Sequence, residues 1–113
     1  MFTQNQLTKI TNEISDSVYE FLGQRLHRII LYGSYARGDY DNESDIDIMV
    51  LADISGSEVS DIKEKIYKLS SDISLENNIT VSIFLKDRNF FNRYVNVLPF
   101  YKNVATEGVT IYG

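Results

Sequence analysis

Residues 33–50 read Gly33-Ser34-Tyr35-Ala36-Arg37-Gly38-Asp39-Tyr40-Asp41-Asn42-Glu43-Ser44-Asp45-Ile46-Asp47-Ile48-Met49-Val50. The stretch from Asp45 to Ala52 alternates and then turns wholly apolar, the pattern of a central strand with two acids at its mouth. Asp45 and Asp47 are two apart, so on a strand both side chains leave the same face. Two ionised carboxylates so placed repel each other unless they are solvated or bridged by cations. Hard oxygen ligands suit Mg²⁺, which is commonly held by one or two carboxylates together with substrate phosphates. Two such ions about 3.5–4 Å apart can clamp the attacking and leaving oxygens of a phosphoryl-type transfer. Upstream, Gly33-Ser34 opens a turn where glycine lets a ligand approach the backbone. Backbone N–H groups there, with the Ser34 hydroxyl, can cradle phosphate oxygens. Arg37 adds a planar donor. The residues point to nucleotide binding with metal-assisted transfer.

The flanks supply the rest of a fold. Leu7, Ile10, Ile14, Val18, Phe21 and Leu22 recur at helical spacing from Gln4 to Leu22, with Gly23 as the stop. Leu26 to Tyr32 is short, β-branched and mostly apolar, a buried strand ending at Gly33. Tyr35 to Ser44 reads as a helical turn and a loop. Ser55 to Ser60 offers helix caps, and Val59, Ile62, Ile66, Leu69 and Ile73 follow as a core-facing stripe. Asn77-Asn78 is a turn. Ile79 to Leu85 is a third strand with Thr80 and Ser82 on one face and Ile79, Val81, Ile83 and Leu85 on the other. Asp87 caps a short helix to Tyr94, a last helix runs from Pro99 to Glu107, and an extended tail follows Gly108. The order αβ(α)βαβαα gives an α/β (α+β) domain, a small mixed sheet with packed helices.

At 113 residues the chain, 1–113, is expected to be a single domain. A core of that size leaves little room for an enclosed site, so an open cleft is expected. The net charge of −5 argues against a direct nucleic-acid binder and against a polybasic membrane anchor. With no cysteine and a single histidine, disulfides, thiolate metal sites and multi-histidine zinc centres are excluded. No apolar run approaches a bilayer span, and Met1 to Thr11 lacks a signal-peptide core. A soluble cytoplasmic protein is expected.

The pattern G-S-x10-D-x-D, with Ala36-Arg37-Gly38 inside, resembles the minimal nucleotidyltransferase family of the DNA polymerase β-like superfamily. The resemblance extends over the element order, the length and the Leu98-to-Gly108 ending. It implies the polymerase β-like nucleotidyltransferase fold, with Gly33 and Ser34 on the nucleotide phosphates and Asp45 and Asp47 as catalytic ligands of Mg²⁺, two ions in all. ATP is the expected donor. A hydroxyl attacks the α-phosphate and pyrophosphate leaves. Many small members are antitoxins paired with a HEPN-domain toxin, and some transfer AMP to a tyrosine of that toxin. A HEPN toxin is therefore the expected partner, and a homo- or hetero-oligomer is compatible with it.

One departure bears on activity. The superfamily commonly carries a third carboxylate on the next strand, where this chain has Ser82, or less fittingly Thr80. Glu76 precedes the strand in the wrong register. General-base help is worth about 10²–10⁴-fold, so the change allows a slow enzyme, a partner-completed one, or a non-catalytic antitoxin that neutralises by binding. Transfer to a small-molecule hydroxyl is a further alternative. The remaining features have simpler readings. Asp39, Asp41 and Glu43 form a solvated acidic loop, and Arg37 can pair with Asp39 or Asp41 as readily as with phosphate. His27 is structural. Tyr32, Tyr35 and Tyr40 pack, and the aromatics of residues 90–101 cover the sheet, with some left for a partner surface.

Overall fold

The computed structural model describes residues 3–55 and 58–113. Helix α1 spans Gln4–Leu22, and Thr3 caps it in a reciprocal box: the Gln6 amide donates to Thr3 Oγ1 at 3.2 Å, and the Thr3 amide donates to Gln6 Oε1 at 2.7 Å. It buries Leu7, Ile10, Ile14, Val18 and Leu22 of the stripe the spacing predicts, and leaves the sixth, Phe21, half-buried at the core's edge. A 3₁₀ turn at Gly23–Arg25 leads into β1, Leu26–Tyr32. One helical turn, α2, covers Ser34–Arg37 and ends at Gly38 in the left-handed region. Next come β2, Ile46–Ala52, and α3, Glu58–Asn77. The capping residues read between Ser55 and Ser60 include Gly56 and Ser57, which lie outside the described residues. Asn78 turns the chain at φ 52°. Then follow β3, Val81–Asp87, α4, Arg88–Tyr94, and α5, Pro99–Glu107. As expected, Asp87 caps α4, accepting from the Phe90 amide at 3.1 Å.

The expected extended tail is a fourth strand, β4, Val109–Tyr112. The sheet order is β3-β2-β1-β4, with β2 parallel to β3 and β1 antiparallel to both β2 and β4. Nothing in a four-residue tail announces its pairing, because the ladder partner lies some 80 residues upstream in β1. Strand β2 begins at Ile46 and β3 at Val81, one and two residues inside the expected bounds, where ladder bonding starts.

The alternation splits the sheet into two unlike faces. Ile29, Leu31, Ile46, Ile48, Val50, Val81, Ile83 and Leu85 join α1 and α3 in the main core. The opposite face carries Ile30, Met49 and Leu51, covered by Phe91 of α4 and by Tyr101 and Val104 of α5. Strand β2 is thus buried on both sides, which explains its continuous apolar run. Helices α4 and α5 cover only part of the second face, and the uncovered part holds the acids.

Candidate active site

Ladder register lines up three residues across the open face. Asp47 pairs with Tyr32 of β1 on one side and with Ser82 of β3 on the other. The next row down is Ile30, Met49 and Phe84. Ser82 therefore stands beside Asp47 on its own face, in the place where the resemblance implies a third acid. Glu76 lies elsewhere, in a groove between α1 and the end of α3 with Asn5, Lys9 and Asp16.

A cleft of about 390 Å³ opens at the end of β1. Gly33, Ser34, Arg37 and Asp47 line it together, so four of the five residues singled out from sequence meet there. Gly33 has φ 77° and ψ −155°, a conformation essentially reserved for glycine. The Ala36 and Arg37 amides fold back onto the Gly33 carbonyl, each at 3.1 Å, closing the turn that presents Ser34. The fifth residue, Asp45, is exposed at the strand mouth and lines the adjoining groove with Glu43, Ser44 and Thr80. The two acids still feel each other. Burial, and then the charge of Asp45, push the Asp47 carboxyl above its usual pKa, against a smaller pull from Arg37. Burial, followed by the charge of Asp47, pushes the Tyr32 phenol up to about 12.

The far wall of the cleft comes from α5: Phe100, Asn103, Val104 and Glu107. Sequence reading gave these no site role, yet they repeat at steps of three and one, so they share one helix face. Phe100 sets its ring edge-on to Tyr32 at 5.7 Å. Arg37 is held between two carboxylates, its Nε donating to Asp39 at 3.1 Å and Nη1 to Glu107 at 3.4 Å. The Arg37–Asp39 pairing fits the simpler reading. The contact with Glu107, 70 residues away, does not follow from sequence.

The loop between the two halves of the motif is structural. Asp41 accepts from the Glu43 amide at 2.9 Å and from the Ser44 hydroxyl at 3.3 Å, a local turn rather than a metal site. Tyr40 stacks on buried Tyr35 with centroids 4.2 Å apart. His27 lies near Arg28, Arg88 and Asp53, away from the cleft, and burial lowers its pKa. Among the described residues, no three acids or histidines converge into a metal-binding cluster. The donor set is instead a pair of carboxylates, Asp47 in the cleft and Asp45 at its edge. That pair fits Mg²⁺, since a cation would relieve both the burial and the mutual repulsion that raise Asp47.

Comparison with known proteins shows the family. Residues 12–108 match the nucleotidyltransferase domain family. Two proteins of Methanocaldococcus jannaschii, each named "putative protein adenylyltransferase", are similar to the chain. One is 36% identical over 78% of this chain and 80% of its own, the other 34% over 85% and 95%. The chain therefore belongs to the nucleotidyltransferase domain family, and its fold is that of the minimal members. Solved structures share the fold at lower identity. A toxin–antitoxin crystal structure with AMP-PNP superposes with a TM-score of 0.59 at 22% identity, covering 91% of this chain and 73% of that one. A complex of tri-AMPylated Shewanella oneidensis HEPN toxin with its MNT antitoxin gives 0.52 at 18% identity, covering 94% and 72%. Among the described residues no helix is long and apolar enough to cross a membrane.

Proposed function

We propose that this protein is a Mg²⁺-dependent protein adenylyltransferase that moves AMP from ATP to a tyrosine hydroxyl of a HEPN-domain partner and acts as that toxin's antitoxin. The observation that carries the reading is the convergence of Gly33, Ser34, Arg37 and Asp47 in one cleft. The similarity to the two proteins named as adenylyltransferases, and to an antitoxin solved with an AMPylated toxin, supports it.

The turn at Gly33 and the hydroxyl of Ser34 hold the triphosphate. Arg37, released from Glu107, meets its outer oxygens. Asp45 and Asp47 are the residues that would hold the cations, which supply charge neutralisation at the α-phosphate and on the departing pyrophosphate. The acceptor oxygen attacks the α-phosphorus, the bond from that phosphorus to the bridging oxygen of the β-phosphate breaks, and the acceptor proton passes to solvent or to a base on the partner. Catalysis here is positioning and electrostatics.

A second reading is favoured by one observation. Ser82 stands directly beside Asp47, and its hydroxyl has no useful basicity at neutral pH. Without a base the protein would neutralise its partner by masking it. The separating experiment co-expresses the toxin with wild type or with Asp45→Asn/Asp47→Asn. Loss of neutralisation together with loss of label from α-labelled ATP supports transfer. Full neutralisation by the double variant supports masking.

A further inference from the structure

We infer that the face carrying Phe84, Phe90, Val97 and Phe100 is the docking surface for the acceptor protein, and that it takes an apolar patch rimmed by acidic side chains. This rests on the adenylyltransferase reading above and adds where the protein substrate sits. These four apolar residues are 48%, 46%, 70% and 50% exposed. Single exposed apolar residues are ordinary, but a connected ridge of aromatics is the composition of an interface core. Two of the four, Phe90 and Phe100, are joined through Tyr101. Tyr101 touches Phe90 at 6.0 Å and Phe100 at 5.8 Å, and Phe90 touches Tyr94 at 4.7 Å.

The ridge runs to the reacting centre. Phe100 lines the cleft itself, and Phe84 is one row below the Asp47–Ser82 pair on the same face. A protein seated on the ridge therefore reaches the open side of Asp47.

Charge selects the partner. The protein is acidic overall, with a net charge of −5, yet between Phe84 and Thr106 the charged side chains are Lys86, Arg88, Arg93, Lys102 and one acid, Asp87, and the next acid, Glu107, is paired with Arg37. Asp87 caps α4, and Arg88 faces Asp53 at 3.8 Å. Arg93 is exposed on α4, three residues from Phe90 and so on the same helix face, and Lys102 is exposed on α5. Such a rim attracts an acidic surface and speeds encounter. It also repels an identical copy of itself, which disfavours a two-fold dimer through this face.

The test uses the HEPN-domain partner of the proposed function as the probe. Its affinity is measured by calorimetry against wild type, Phe90→Ser and Arg93→Glu/Lys102→Glu. Each variant is expected to weaken binding at least about tenfold. The loss in the charge-reversed variant should shrink as salt is raised. Mg²⁺–ATP binding should stay at wild-type values in both surface variants, the melting temperature should stay so in the charge-reversed one, and Asp45→Asn/Asp47→Asn should bind the probe as tightly as wild type. Unchanged affinity in both surface variants, no binding to wild type, or self-association through this face that Phe90→Ser abolishes while the probe still binds would each overturn the proposal. Wild type that binds but transfers no AMP overturns the activity and leaves the surface standing. Transfer undiminished in both surface variants does the reverse.

Discussion

A Cβ placed on Gly33 would stand 2.5 Å from Asp47 Oδ2, closer than real Cβ atoms come to any neighbour. The backbone turn proposed to hold the phosphates and the carboxylate proposed to hold the cations are therefore in contact. Gly33→Ala has to leave its backbone conformation, at a cost of about 1–3 kcal/mol, and also push Asp47 aside. The expected outcome is weaker Mg²⁺–ATP binding and lost transfer, with a stability drop of that size in denaturant titration. Wild-type nucleotide affinity in Gly33→Ala would break the link.

Much of this site is legible in the sequence, for a physical reason. Glycine, serine and two aspartates are costly or unusual at a strand end and in a strand, so they stand out against Leu26–Tyr32 and Ile46–Ala52. The helix stripes of α1 and α3 are equally plain, because their periodicity is set by one buried face. Two things are not legible. The pairing of β4 with β1 depends on a long-range ladder. The placement of Phe100, Asn103 and Glu107 in the cleft depends on how α5 lies across β1. The separation of Glu76 from Asp47, by contrast, follows from its register before β3.

Asp47 works against stability. Its pKa is raised in the folded protein, first by burial and then by Asp45. A carboxyl whose folded pKa lies above its unfolded value favours folding most at pH below the unfolded pKa. That advantage is lost as pH rises through the folded pKa. At neutral pH the ionised group is therefore a burden on the metal-free protein. Asp47→Asn is expected to melt higher than wild type at pH 7, with the difference fading as pH falls through the carboxylate range. The same variant should lose transfer. Melting curves across pH check the first half and α-label transfer the second.

Glu107 holds the guanidinium that the proposed function gives to phosphate, so the two would compete for Arg37. The pair is exposed, so breaking it costs little. Glu107→Gln is expected to tighten Mg²⁺–ATP binding a few-fold, and the gain should vanish when Arg37→Gln is added. A gain that persists without Arg37 would mean that Glu107 acts by general repulsion alone.

Ser82→Asp places a carboxylate beside Asp47 on the acceptor face. If a missing base limits the rate, transfer should rise by about tenfold or more, short of the full 10²–10⁴ of an evolved base. The added like charge should lower the melting temperature at neutral pH. An unchanged rate would place the limiting step elsewhere.

Helices α4 and α5 hang on one small core. Phe91 is 2% exposed and packs with Tyr101 at 5.2 Å between centroids. Phe91→Ala is expected to cost about 3–5 kcal/mol and to loosen the α5 wall of the cleft, so nucleotide affinity falls with stability in the same titration.

The central claim is that this site transfers a nucleotidyl group to a protein. The most direct measurement incubates the purified protein and its partner with Mg²⁺ and ATP labelled in either the α- or the γ-phosphate, with Asp45→Asn/Asp47→Asn as control. Label is expected on a partner tyrosine from α-labelled ATP only, absent in the control. Label from γ-labelled ATP, or a partner bound and silenced with no label from either, would contradict it.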